Sequence, residues 1–455
     1  MSTQTLADLS GVTGQVIRPG NADYDRARTV FLGGVDRHPA VIIRVASNSD
    51  VSRVITLARE TGMPLAVRSG GHSGAAHSVV DDGIVLDLAD MRALKIDAER
   101  RTASAETGLT AAEFSKTADE HGLAIGFGDT GSVGIGGITL GGGVGYLVRK
   151  YGLTIDDLVA ADIVTADGEL HHVDAKSEPD LFWAIRGGGG NFGVATRFEY
   201  RLHPVDEIVG GMMMLPATAD AITSFIALAE AAPEELTTIA NVMPAPPMPF
   251  VPAEHHGKLV IFAMLCHAGG GEAGERAVAP FRALGTPIVD MVKPGRYPEM
   301  YPPDDESYHP LATTRTMFID KVDRDVAETI LEHLNASTAM LRVAQLRVLG
   351  GAMARVPVEA TAFAHRRSRI MVNCAAICER PDEVAVYEPW VTGFASALRQ
   401  GDAGAYVNFL ADEGSARVRA AYPGATWDRL AAIKRRYDPT NLFRLNQNIP
   451  PSEGS

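Results

Sequence analysis

Residues 40–205 alternate short apolar runs with helical patterns, and the chain then changes character. Val41 to Val45 is an apolar run of strand length. Ser49 stands as a helix cap, and Val51, Val54, Ile55 and Ala58 recur behind it at helical spacing. Gly62 closes that helix, Pro64 prevents its restart, and Leu65 to Arg68 opens the next strand. Ile84 to Leu88 predicts another strand, and Thr110 to His121 a helix closed by Gly122. Leu158 to Thr165 and Leu170 to Val173 flank an Asp167-Gly168 turn and predict a hairpin. Pro179 suits the first turn of a helix through Ile185.

Around Pro204 the elements lengthen. Met212 to Pro216 opens a region with helices expected near 218–231, 271–284 and 322–335, and strands at 258–266, 341–349 and 370–377. Two irregular loops are expected: 241–256, rich in Pro and Met, and 293–310, with Tyr297, Tyr301, Tyr308 and His309. Long loops on a scaffold often line a site. The pattern as a whole is α+β, with room in 455 residues for two domains or one large one.

Composition narrows the function. Hydrophobic residues at 46% and charged residues at 22% are those of an ordinary globular protein. A formal net charge of −14 argues against nucleic acid or an anionic membrane as partner. Met1 to Gly20 has neither the basic nor the apolar segment of a secretory signal, and no apolar run is long enough to span a bilayer. Cys266, Cys374 and Cys378 form no disulfide framework, which with the missing signal points to a reducing, cytoplasmic setting. Cys374 and Cys378 lie in an apolar run that reads as a buried strand, and no histidine among His77, His121, His171 and His172 has metal-ligand spacing, so no metal is expected.

The chemistry concentrates in two glycine-rich stretches. Val67 to Ser73 reads VRSGGHS, and Gly70 and Gly71 let backbone amides converge on an anion while His72 is delivered to the same place. About sixty residues later come Gly134, Gly136 and Gly137, then Gly141 to Gly145. Together they imply a large phosphate-bearing cofactor. A nicotinamide-type fingerprint fails, because Thr139 stands where its third glycine is needed.

These residues resemble the FAD-linked oxidases of the berberine bridge enzyme type, within the vanillyl-alcohol oxidase superfamily. Four stretches carry the resemblance: VRSGGHS; Gly134 to Gly145 followed by Arg149-Lys150-Tyr151-Gly152-Leu153; Leu181 to Val194; and Lys434 to Pro439 with Asn441, Phe443, Asn446, Gln447, Asn448 and Ile449. The resemblance implies a two-part FAD-binding domain of PCMH type, residues 1–205 completed by 405–455. A substrate-binding domain over 206–404 is inserted between the parts, with an antiparallel sheet backed by helices. It implies FAD contacts from Arg68, Ser69, Gly70, Gly71, His72 and Ser73; from Thr130, Gly131, Val133, Gly134, Gly136 and Gly137; from Gly143, Val144, Gly145 and Leu153; and from Gly193, Val194, Asn446 and Asn448.

Two departures matter. Many relatives attach the flavin to both a histidine and a cysteine, but the cysteine position here is Thr130. That leaves a single covalent bond, through His72, as in the nicotine-oxidase type. Relatives also carry a Tyr-x-Asn-Tyr pattern, which here reads Tyr406-Val407-Asn408-Phe409. If 405–410 is a strand, Tyr406 and Asn408 share the face toward the substrate and Phe409 takes the other. They are the expected catalytic pair, with His365 beside Arg366 and Arg367, and Gln345 with Arg347, as further candidates. The implied activity is hydride transfer from an alcohol or amine carbon to FAD and on to O2, giving H2O2. The expected partners are thus a small-molecule substrate and O2, with the chain a monomer or homodimer. The alternatives are a flavin dehydrogenase with another acceptor and a non-catalytic cofactor-binding protein.

Overall fold

The structure is a computed structural model that describes residue 9, residues 11–303 and residues 305–453. Most of the Met1 to Gly20 stretch read above for a signal, residues 1–8 and 10, lies outside the described residues.

Two small sheets build the first part of the chain. In one, Val41–Arg44, Ile84–Asp87 and Leu65–Arg68 run parallel, with Gln15–Ile17 antiparallel at the edge. Buried on both faces, these strands are nearly all apolar, as parallel strands must be. The helix Asn48–Thr61 packs on them through Val51, Val54, Ile55 and Ala58. Its cap is Ser47 and not Ser49: Ser47 has the extended backbone of a cap, and its hydroxyl accepts from the Asp50 amide at 3.2 Å. The other sheet is antiparallel, in the order Leu94–Asp97, Thr102–Glu106, Val194–Arg201, Leu158–Val164, Leu170–Asp174. The expected Asp-Gly hairpin is its last pair.

Residues 208–378 supply an eight-stranded antiparallel sheet. Its central strands are Ile208–Pro216, Leu259–Ala268, Leu236–Pro244, Leu341–Val348, Ile370–Cys378 and Leu311–Ile319, in that order across the sheet. The helices Ala219–Ala231, Gly271–Arg282, Arg324–Ala336 and Pro381–Ala397 bury one face of it. The loop expected at 241–256 is wrong at its start, because Asn241 to Pro244 continue a strand begun at Leu236. Met and Pro there belong to a buried strand, with Ala240 and Val242 packed under the helices.

Alternation decides which residues reach the other face. Ala344, Leu346, Val372, Cys374 and Ala376 point into the helix-covered core. Val343, Gln345, Arg347, Asn373, Ala375 and Ile377 therefore point away from it, and all six line a large cavity. Among the described residues, no helix is long and apolar enough to cross a membrane.

Candidate active site

The cavity, of about 720 Å³, lies between the glycine-rich loops and the uncovered face of the large sheet. Its volume suits a bulky organic ligand. One wall is Ser69 to Ser73. The Ser69 hydroxyl donates to the Thr107 carbonyl at 2.6 Å and accepts from the Gly136 amide at 3.2 Å, so it ties the two glycine loops together. A Cβ on Gly70 would sit 2.2 Å from the Gly134 nitrogen, and Gly71 has φ +74°. Only glycine permits this backbone-to-backbone approach. His72 lines the cavity with its ring stacked on Phe31, centroids 4.1 Å apart.

Another wall comes from the end of the chain. Lys434, fully buried, donates to the Asn191 and Phe443 carbonyls at 2.7 and 3.0 Å and to Asp438 at 2.6 Å. Asn191 in turn donates to the Gln447 carbonyl at 3.1 Å and accepts from the Ile449 amide at 2.9 Å. The tail is thereby fastened to the loop Gly187–Gly193, and Asn446 and Gln447 reach the cavity.

The residues fit FAD. Gly137 and Gly190 line the cavity with no atom within 4 Å of where a Cβ would be, so their peptide backbone is open to a ligand. The buried Asn446 Oδ1 accepts no hydrogen bond within the protein, leaving an acceptor free for a bound group. Amides with no side chain in front of them are what a diphosphate requires.

Of the expected site residues, Ser69, Gly70, Gly71, His72, Ser73, Thr130, Val133, Gly134, Gly136, Gly137, Val144, Gly193, Val194, Tyr406, Asn408 and Asn446 line this cavity. Six do not. Arg68 turns aside to a buried salt bridge with Asp87, 2.6 Å, and lines a second cavity behind the loop together with Gly131. The Gly143 amide is spent on the Tyr406 oxygen, and its Cα packs against Thr154. Gly145 packs on the Gly128 backbone, and Leu153 is wholly buried in the core. Asn448 is absent from the lining, although its Oδ1 is also buried without a partner.

The expected strand over 405–410 is also corrected. Val407–Phe409 is a short 3-10 turn, and Phe409 lines the same cavity as Tyr406 and Asn408. The Tyr406 oxygen accepts from the Gly143 amide at 3.0 Å, the Val144 amide at 3.1 Å and Asn408 Nδ2 at 3.0 Å. Asn408 is oriented by donating to the Ile138 carbonyl at 3.0 Å. Burial pushes the Tyr406 phenol above its ordinary pKa, and these hydrogen bonds offset part of that. His365 does not line the cavity: it lies buried against Phe318 and Phe363, 3.0 Å from the Ala421 carbonyl. Arg366, beside it, is fully buried and paired in bidentate fashion with Asp156 at 2.7 and 2.8 Å. Tyr297 and Tyr301 pack in the core, and from the 293–310 loop Tyr308 and Pro310 reach the cavity.

Sequence reasoning missed Asp129, Asn241 and Asn373, which line the cavity beside Gln345 and Arg347. Asn241 and Asn373 each stand between apolar neighbours, Ala240-Asn241-Val242 and Val372-Asn373-Cys374, and that alternation is the signal that could have found them. They are register partners of Gln345, so the three carboxamides form one row across the sheet.

Comparison with known proteins agrees with this geometry. A family model described as FAD binding domain matches residues 39–174, and one described as berberine and berberine like matches 405–450. The FAD-linked oxidoreductase YvdP of Bacillus subtilis (strain 168) is 32% identical, over 97% of this chain and 99% of that protein. The (R)-6-hydroxynicotine oxidase of Paenarthrobacter nicotinovorans is 30% identical over 100% of both chains. The solved 6-hydroxy-D-nicotine oxidase of Arthrobacter nicotinovorans superposes with a TM-score of 0.87 at 27% identity, covering 98% of this chain and 100% of that one. With two family models in place, relatives matched end to end and a cavity whose open amides suit the cofactor, this chain belongs to the berberine bridge enzyme-like family and is an FAD-linked oxidoreductase.

Proposed function

We propose that this enzyme is an oxidase of alcohols or amines with a mostly apolar body, holding FAD through one covalent bond at His72. The observation that carries the substrate reading is the composition of the sheet face over the cavity. One row is polar: Asn241, Gln345 and Asn373, with Arg347 one step further along its strand. The next row is Val343, Ala375 and Thr314, and the one beyond is Leu341, Ile377 and Ala312. A molecule lying along this surface meets hydrogen-bonding groups at one end and aliphatic surface over the rest. The buried Asn373 Oδ1 accepts no hydrogen bond within the protein, so a substrate O–H or N–H would satisfy it. An oligosaccharide would leave its hydroxyls against Leu341 and Ile377, at the cost of their lost hydration.

When bound, FAD supplies the redox chemistry. The protein's part is to hold it and to place the substrate. Residues 1–205 and 405–455 serve the first task and 206–404 the second. His72 stands on the cavity wall as the attachment point, and Thr130 offers no thiol for a second one. Tyr406 and Asn408 act as positioning groups in this reading, because the tyrosine oxygen already receives three donors. The enzyme works in the cytoplasm as a monomer or homodimer, with O2 as the second substrate.

The test is a peroxide-release screen of the purified yellow protein. Apolar secondary alcohols and cyclic amines should turn over, and xylo- or cello-oligosaccharides should not. Turnover of oligosaccharides alone would overturn the substrate reading. Flavin released whole by acid precipitation would overturn the covalent bond.

A further inference from the structure

Among the described residues, Asp129 is the only carboxylate lining the cavity, and Arg347 the only lysine or arginine. They meet there: Arg347 Nη2 donates to Asp129 Oδ2. The contact joins the glycine loop to the large sheet across 218 positions of sequence.

The pair ends a chain of hydrogen bonds that all point one way. Asn241 Nδ2 donates to the Phe262 carbonyl at 3.0 Å, and that fixes its oxygen toward Gln345. Gln345 Nε2 donates to that oxygen at 2.9 Å, which turns Gln345 Oε1 toward Arg347. Arg347 donates to Oε1 from Nε at 2.9 Å and from Nη2 at 2.8 Å. The guanidinium also lies over the Phe409 ring, 4.9 Å from its centroid. Along this chain of bonds Asn241 Oδ1 is satisfied by Gln345 and Gln345 Oε1 by Arg347, and the chain then reaches Asp129. There Oδ2 is held by Arg347, while Oδ1 meets only the Thr130 hydroxyl, at a long 3.4 Å. The Asp129 side chain keeps 26% of its surface exposed, whereas Arg347 keeps 5%. A carboxylate of the cavity lining with one oxygen anchored and the other only weakly held has the geometry of a general base.

Three other titratable groups of the lining are poorly suited to this role. The Tyr406 oxygen is occupied by three donors. His77 lines the cavity beside Ser73, to whose hydroxyl its amide donates, and burial disfavours its charged form. Tyr308 is half-exposed at the loop 293–310, with its phenol raised by burial.

We propose that Asp129 is the proton acceptor of the oxidation, with Arg347, Gln345 and Asn241 as its positioning row. This rests on the alcohol or amine reading given above. As the substrate C–H leaves with its electron pair to the oxidised flavin, the O–H or N–H proton passes to Asp129, and the C=O or C=N product forms. O2 then takes the two electrons with two protons, one of them the proton held by Asp129, and leaves as H2O2. The carboxylate is restored.

The holoenzyme is tested in two ways. Sulfite, an anion that bleaches oxidised flavin by adding to it, reads the charge beside the reacting edge without any substrate. Asp129→Asn should tighten sulfite binding about tenfold and Arg347→Gln should weaken it comparably, the size expected for a unit charge at close range. Opposite shifts show that both charges lie beside the reacting edge, and the proton role is read by the second measurement. Second, anaerobic flavin reduction by the best alcohol or amine of the peroxide screen should slow roughly 10²-fold or more in Asp129→Asn, with partial rescue in Asp129→Glu. Flavin absorbance and melting temperature report that the variants fold. Unchanged sulfite affinity in Asp129→Asn overturns the assignment, as does a slowing of less than about threefold. Failure of the wild type to oxidise any alcohol or amine overturns the substrate reading instead, and the sulfite result then decides the place of Asp129 alone.

Discussion

The hydroxyl oxygen of Tyr406 lies 3.0 Å from the backbone nitrogen of Gly143 and accepts its hydrogen. Two chain segments 263 positions apart are joined there, and Val144 and Asn408 donate to the same oxygen. The tyrosine thus satisfies amides of the glycine loop that would otherwise be buried without partners.

Tyr406→Phe should therefore act on stability more than on chemistry. Removing the oxygen strands buried amides, at a cost of roughly 1–3 kcal/mol. We expect a lower midpoint in urea, read by fluorescence, and a flavin reduction rate within about threefold of wild type. A loss of 10²-fold or more in that rate would make Tyr406 the base and displace Asp129.

His72→Ala should still take up FAD. The open amides and the Asn446 acceptor do not depend on the imidazole. The flavin of the variant should be released entirely by acid, while in the wild type peptide mapping should find it on the His72 peptide alone.

Lys434→Met should be among the most damaging changes outside the cavity. The ammonium and the Asp438 carboxylate are both fully buried and 2.6 Å apart. Burial lowers the lysine pKa, and Asp438 opposes the shift. Deleting one partner leaves an uncompensated buried charge, at about 3–5 kcal/mol. Urea unfolding should detect the loss, and FAD retention should fall with it, because Lys434 also holds the Asn191 loop.

Acid should destabilise the fold through His77. Burial lowers its pKa from 6.5 to about 4. A folded-state value below the unfolded one means that the unfolded chain binds the extra proton in this window. Stability is then full above pH 6.5 and is lost as pH falls toward 4. Between pH 7 and pH 5 this one group accounts for about 2 kcal/mol. His77→Gln should flatten the urea midpoint over that range, and an unchanged slope would show that the ring is already charged in the fold.

Local signals were legible because each depends on only a few neighbouring residues. The Asp167-Gly168 hairpin and the helix behind Val51 and Val54 followed from turn chemistry and spacing. The VRSGGHS loop was legible as a place that only glycine fits, and the touch of Gly70 on Gly134 is the physical reason. The Asn241 strand was hidden because Met and Pro at its end imitate a loop, and the sheet overrode that preference.

What tertiary structure alone decided is the direction in which side chains point. Leu153 and Arg68 belong to the stretches that carry the family resemblance, yet one fills the core and the other pairs with Asp87. Phe409 joins the cavity because 407–409 turns instead of extending. Asp129 meets Arg347 only when the sheet of residues 208–378 closes over the loops, and that encounter depends on the packing of two distant segments. A sequence pattern reports the backbone that a few residues prefer. The partner of a buried charge is set by the whole fold.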